Sequence, residues 1–163
     1  MDHQTWSEQE RDRREIDELI KRYFLSFDRQ EPAMLDDIFS ADGELWVEGR
    51  MVRGPKADRS GALPKGISAK PIGFNHVRGQ SVVELMGDMA TGETNAIGYL
   101  VMDGDPPRML VRGLRYLDRF VRTAAGWRIA ERHHNVDWMF EADATIAVAR
   151  AERLQLADLP WGG

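Results

Sequence analysis

The chain has 163 residues, 42% of them hydrophobic and 30% charged, and 22 Lys and Arg against 27 Asp and Glu leave a formal charge of −5. That length suits one domain over residues 1–163, and the acidic balance excludes a basic, phosphate-gripping face, so no nucleic-acid partner is expected. The absence of cysteine excludes disulfides, thiolate catalysis and cysteine-held metals, and the lack of a long apolar run or an apolar leader predicts a cytoplasmic protein without a membrane partner.

Ser7 and Glu10 have the spacing of a capping box and predict a helix start. Ile16, Leu19, Ile20, Tyr23, Phe24 and Phe27 then recur at helical spacing, giving a long amphipathic helix with a charged outer face. Pro32 predicts the first residue of a second, short helix carrying Leu35, Ile38 and Phe39, closed by an Asp42-Gly43 turn. Glu44–Glu48 and Met51–Arg53 form a hairpin about Gly49-Arg50, and Gly54-Pro55 is a candidate start for a third helix before a loop over 60–72. Four strands follow, at Phe74–Leu85, Met89–Met102, Met109–Arg122 and Trp127–Trp138, each pair separated by Gly, Asp or Pro turn residues. A helical tail is expected over 141–163, after a core of about 12–140, and its Pro160-Trp161-Gly162-Gly163 end offers an aromatic to a partner subunit.

Helices first and strands afterwards predict an α+β domain, its N-terminal helices packed on a curved antiparallel sheet that closes as a cone-shaped barrel around a pocket. Asp28 falls about 100° from the centre of the first helix's apolar stripe, a border position from which a carboxylate either turns inward or caps the next helix. His76 stands in a strand after the loop, and an imidazole is the natural general base near neutral pH when a carboxylate orients it. Tyr23, Trp46, Tyr99, Tyr116 and Arg132 are the other polar-tipped or cationic residues on elements able to face a cavity. Arg132 would lie opposite Trp127, Ile129 and Glu131 under strict alternation, unless a bulge intervenes. Adjacent strand residues point to opposite faces, so His133-His134 cannot easily chelate one ion, and no metal or organic cofactor is expected.

The ordered set of patterns resembles the SnoaL-like branch of the nuclear transport factor 2-like superfamily. Ile16-x-x-Leu-Ile-x-x-Tyr23-x-x-x-x-Asp28 is similar to its first helix, and Leu35-x-x-Ile-Phe-x-x-Asp42-Gly to its second helix and turn. Leu45-Trp46-Val47-Glu48-Gly49 resembles its first strand, with His76 heading the next long one. Gly113-x-x-Tyr116-x-Asp118-x-x-x-Arg122 and Gly126-Trp127-Arg128-Ile129-x-x-Arg132 look like its closing pair. The chain is most similar to the members that include scytalone dehydratase, bile-acid dehydratase and hexachlorocyclohexane dehydrochlorinase. That resemblance implies a cofactor-independent lyase or isomerase acting on a hydrophobic, ring-containing small molecule. It makes His76 the base, Asp28 its orienting partner, Tyr23 a donor or acid, Arg132 the stabiliser of developing negative charge, and Trp46 a pocket wall.

Tyr99 and Arg108 belong to the middle hairpin, Gln80 replaces an asparagine frequent in the family, and the second histidine of scytalone dehydratase has no clear counterpart. Two rival functions share the fold. One is a non-catalytic ligand-binding or assembly domain, in which Asp28 and His76 do not touch or the pocket is plugged. The other is the small subunit of a ring-hydroxylating dioxygenase, which requires a large iron-containing partner. A homo-oligomer is expected, trimer ahead of dimer.

Overall fold

The computed structural model describes residues 5–55 and 71–145, where one long helix lies across a six-stranded sheet. The helix, α1 (Trp6–Asp28), starts two residues earlier than its Ser7-Glu10 pattern predicts. The capping box is Thr5 with Glu8: the Glu8 amide donates to Thr5 Oγ1 at 3.4 Å, and the Thr5 amide to Glu8 Oε2 at 2.8 Å. Ser7 sits inside the first turn, where its hydroxyl only meets that of Thr5. Ile16, Leu19, Ile20, Tyr23 and Phe24 form the buried stripe, each large apolar side chain contributing about 1.5–3 kcal/mol by leaving water.

The second helix is a short 3-10 helix, Pro32–Asp37, and it ends before Ile38 and Phe39. Asp42-Gly43 does not close it. Both residues lie inside β1 (Phe39–Val47), where a Cβ on Gly43 would meet the Ile129 carbonyl oxygen at 2.8 Å, so glycine here permits strand approach and makes no turn. β1 returns through Glu48-Gly49, with φ of 50° and 77°, into β2 (Arg50–Arg53). Two successive positive φ values match a tight primed hairpin, one residue earlier than expected.

β3 (Pro71–Met86), β4 (Met89–Met102), β5 (Arg108–Thr123) and β6 (Gly126–Asp143) form an antiparallel meander. The sheet order is β2-β1-β6-β5-β4-β3, and β1 runs parallel to β6. The α+β class therefore holds, but the sheet is mixed and open rather than an antiparallel closed barrel. β2 and β3 are its two edges, and α1 packs on the face that carries the core side chains. Residues 141–143 continue β6 instead of starting a helix. The rest of the expected tail (146–163), with Trp161, and the expected third helix and loop over 56–70 lie outside the described residues. Among the described residues no helix is long and apolar enough to cross a membrane.

The core joins the α1 stripe to Leu114, Tyr116, Phe120, Trp127 and Ile129 on β5 and β6. A smaller cluster of Leu100, Met102 and Leu110, with Phe74 against it, lies toward the other end of the sheet. Ion pairs tie the helix to the strands: buried Asp12 receives Arg122 of β5, and Asp17 receives Arg78 of β3. Bulges interrupt the pairing at Arg78/Ser81 and at Arg119/Phe120, and each moves the following side chains to the other face.

Candidate functional site

The last turn of α1 passes over the start of β3, and this crossing brings together two residues 48 positions apart. His76 Nδ1 lies 2.7 Å from Asp28 Oδ1, and the His76 backbone amide donates to Asp28 Oδ2 at 3.1 Å. The two-point grip engages both carboxylate oxygens, so the part-buried Asp28 is turned to β3 rather than capping the turn begun by Pro32. An ionised carboxylate only accepts, which makes Nδ1 the protonated ring nitrogen and leaves Nε2 with a lone pair. Phe24, Phe27 and Phe74 surround the imidazole, with ring centroids 5.4, 6.3 and 6.4 Å away. Beneath it is Gly98, cross-strand neighbour of His76, where an added Cβ would meet the ring at 3.4 Å and Leu114 at 3.0 Å.

His76 lines a cavity of about 240 Å³ together with Tyr23, Phe27, Phe74, Tyr116, Arg112 and His134, and with aliphatic side chains of β1, β2 and β4. This volume is below the roughly 300–1,000 Å³ of common ligand sites, so it suits a small molecule. Tyr23 and Tyr116 are fully buried, their rings 5.7 Å apart edge to face. Burial drives both phenol pKa values upward, so both keep their protons at neutral pH.

Three predicted residues are elsewhere. Trp46 lies on the outer face of β1, stacked on His133 at 5.8 Å, with its indole N–H donating to Glu44 at 2.9 Å; its neighbours Leu45 and Val47 line the cavity instead. Tyr99 likewise points away, and the adjacent Leu100 takes the wall position. Arg132 does face inward, because the bulge after Ile129 reverses the alternation of β6. It is completely buried behind the cavity wall, however, with Nε and Nη2 donating to Asp118 Oδ1 and Oδ2 at 2.6 Å each. Its guanidinium lies 4.1 Å from the Tyr23 ring centroid and 5.0 Å from that of Tyr116. Burial opposes its charge, but Asp118 outweighs burial and holds the pKa above its ordinary value. Arg132 thus packs against the two phenol rings and is not among the residues that line the cavity. Arg108 pairs with Glu141 and Asp143 at the surface. Gln80 belongs to a wider depression of about 630 Å³ on the outer face of the sheet, which shares no residue with the cavity.

Two cavity residues lie outside the site expected from the sequence. His134, weighed there only as a metal ligand beside His133, faces inward while His133 faces outward, as alternation requires. Its ring lies 4.8 Å from that of Tyr116, and its Nε2 is buried without a hydrogen-bond partner. Burial first, then the positive field of Arg112, His76 and Arg132, pushes its pKa down to about 3, so it is neutral at pH 7. Arg112, on β5, is 4% exposed and leaves Nε and Nη2 unpartnered. A basic residue in the apolar run Met-Leu-Val-Arg-Gly-Leu (109–114) is the signal that marked it. Among the described residues, no group of three or more His, Asp or Glu side chains stands in metal-binding proximity.

The chain was compared with known proteins. The family described as SnoaL-like domain matches residues 8–133. An uncharacterized protein of Mycobacterium tuberculosis is 32% identical, with the match covering 74% of this chain and 82% of the relative. A hexachlorocyclohexane dehydrochlorinase of Novosphingobium barchaimii superposes with a TM-score of 0.67 at 15% identity, covering 84% of this chain and 94% of the other. A provisionally assigned scytalone dehydratase of Novosphingobium aromaticivorans superposes with a TM-score of 0.63 at 17% identity, covering 87% and 94%. A nuclear transport factor 2-like superfamily protein of Salmonella enterica gives 0.66 at 17% identity, covering 87% and 98%. At these identities the superpositions speak for the fold.

Proposed function

Because the chain belongs to the SnoaL-like family of the nuclear transport factor 2-like superfamily, we propose that it is a cofactor-independent lyase or isomerase of a small, hydrophobic, ring-containing molecule. His76 is the base and Asp28 its positioning partner. The 2.7 Å contact between them, on the wall of an open cavity, is the observation that carries this reading. With Nδ1–H held by Asp28, the Nε2 lone pair takes a proton from a carbon activated by an adjacent carbonyl or leaving group, and Asp28 then stabilises the imidazolium. Tyr23 and Tyr116 donate to the oxygen or departing group on which negative charge builds, the kind of preorganised stabilisation that dominates such steps. Arg132 keeps those phenols polarised from behind.

Two structural neighbours carry names that describe loss of HCl and loss of water, both eliminations. A purely ligand-binding or assembly role is expected to show a separated Asp28 and His76 or a plugged pocket, and the 2.7 Å contact beside a cavity supports the catalytic reading instead. The test is a panel of chlorinated and hydroxylated cyclic compounds incubated in D2O, following release of chloride or water and deuterium uptake at acidic carbons. At least one compound is expected to react, and His76→Ala, checked for fold by circular dichroism, to lose about 10²–10⁴-fold in rate. Full turnover by His76→Ala, or no reaction and no exchange across the panel, overturns the proposal.

A further inference from the structure

Proton abstraction leaves one cation of the cavity without a task. Arg112 shares a cross-strand row with the base: His76 pairs with Gly98, and Gly98 pairs with Arg112. Neighbouring strands are about 5 Å apart, so the imidazole and the guanidinium rise from backbones about 10 Å apart. Leu114 and the imidazole close over Gly98 between them, and His76 and Arg112 both line the same cavity.

Among the described residues Arg112 makes no ion pair, and its Nε and Nη2 have no hydrogen-bond partner. Asp118 is occupied by Arg132 and Asp28 by His76. Glu48 lies near enough to favour the charge on Arg112, yet its carboxylate accepts from the Val136 amide at 2.7 Å. A buried guanidinium with idle donors is costly, and fold stability alone is better served there by an apolar side chain. Arg132 shows within the same protein what the equivalent nitrogens do once a carboxylate is supplied, since its Nε and Nη2 grip both oxygens of Asp118. His134, one strand further, adds a second idle polar atom, Nε2. The remaining walls are aromatic and aliphatic.

We infer that Arg112 and His134 form the recognition end of the cavity for a carboxylate borne by a small ring compound, whose ring lies among the aromatic walls toward His76. Arg112 supplies the charge and a planar donor fork, and His134 a single further hydrogen bond. The placement of the ring beside the base rests on the proton-abstraction reading, whereas the anion end is a binding site in its own right.

Benzoate and its neutral isostere benzamide separate these statements. Calorimetric titration of the wild-type protein is expected to show benzoate binding at least tenfold more tightly. Arg112→Met abolishes that preference, Arg112→Lys keeps part of it by retaining the charge, and His76→Ala leaves it in place. Equal binding of the two probes, binding of neither, or an undiminished preference in Arg112→Met overturns the inference. The wild-type comparison stands even if the Met variant fails to fold. A carboxylate preference without any turnover would sink proton abstraction alone, and turnover without the preference would sink the anion site alone.

Discussion

Arg132 and Asp118 face each other on β6 and β5 with two parallel hydrogen bonds of 2.6 Å, and both side chains are shut off from solvent. Directly behind Tyr23 and Tyr116, the pair fixes the position of both phenols while its charges cancel. Breaking one half leaves a bare buried charge, which costs more than the intact pair is worth. Asp118→Asn is therefore expected to destabilise the fold by about 3–5 kcal/mol in denaturant unfolding. The double replacement Asp118→Leu with Arg132→Met should recover most of that loss. A single substitution as stable as the wild type would show that the pair is not sealed from water.

The Asp28–His76 contact makes a prediction that needs no substrate. At pH 9, where imidazoles are neutral, nitrogen-15 NMR of His76 should report a protonated Nδ1 and a bare Nε2. Asp28→Asn offers an amide in place of an acceptor-only carboxylate, and the amide N–H can donate to Nδ1, so the proton moves to Nε2. The accompanying fall in turnover is about 10²–10⁴-fold, since the lone pair then points at the wrong partner. A wild-type spectrum with the proton on Nε2 would refute the assigned geometry.

His134 links the cavity to acid stability. Its folded pKa of about 3 lies below the ordinary value of 6.5, so between those limits the unfolded chain binds a proton that the folded chain refuses. Stability from this residue is complete above pH 6.5 and declines as pH falls toward 3. Arg112 on β5, His76 on β3 and Arg132 on β6 supply the opposing charges. Carboxylates with lowered pKa values, such as Glu8 and Asp17, begin to lose their contributions only as pH falls through their ordinary values of 4.5 and 3.8. Urea unfolding between pH 6.5 and 4.5 should thus slope downward in the wild type and flatten in His134→Leu. Parallel slopes in the two proteins would contradict a buried neutral imidazole.

What the sequence determined by itself is what short-range physics encodes. The 3.6-residue stripe of α1, the Gly and Asp turns and the four long strands follow from local periodicity and backbone preference, and they come within a few residues of their observed limits. Asp28 and His76 were legible too, the first as a border residue of an amphipathic helix and both through the family resemblance, but their contact is a product of how α1 crosses β3. The faces of the strands were decided only in three dimensions. Leu45-Trp46-Val47 and Gly98-Tyr99-Leu100 are apolar throughout, so no alternation of character tells inside from outside. On β6 a single bulge after Ile129 brings Arg132 inward and carries His134 with it, and a period of two cannot reveal where an extra residue sits. Whether an inward arginine meets a carboxylate depends on the opposing strand: Arg132 finds Asp118 on β5, while Arg112 finds Gly98 on β4 and lines the cavity it shares with His76.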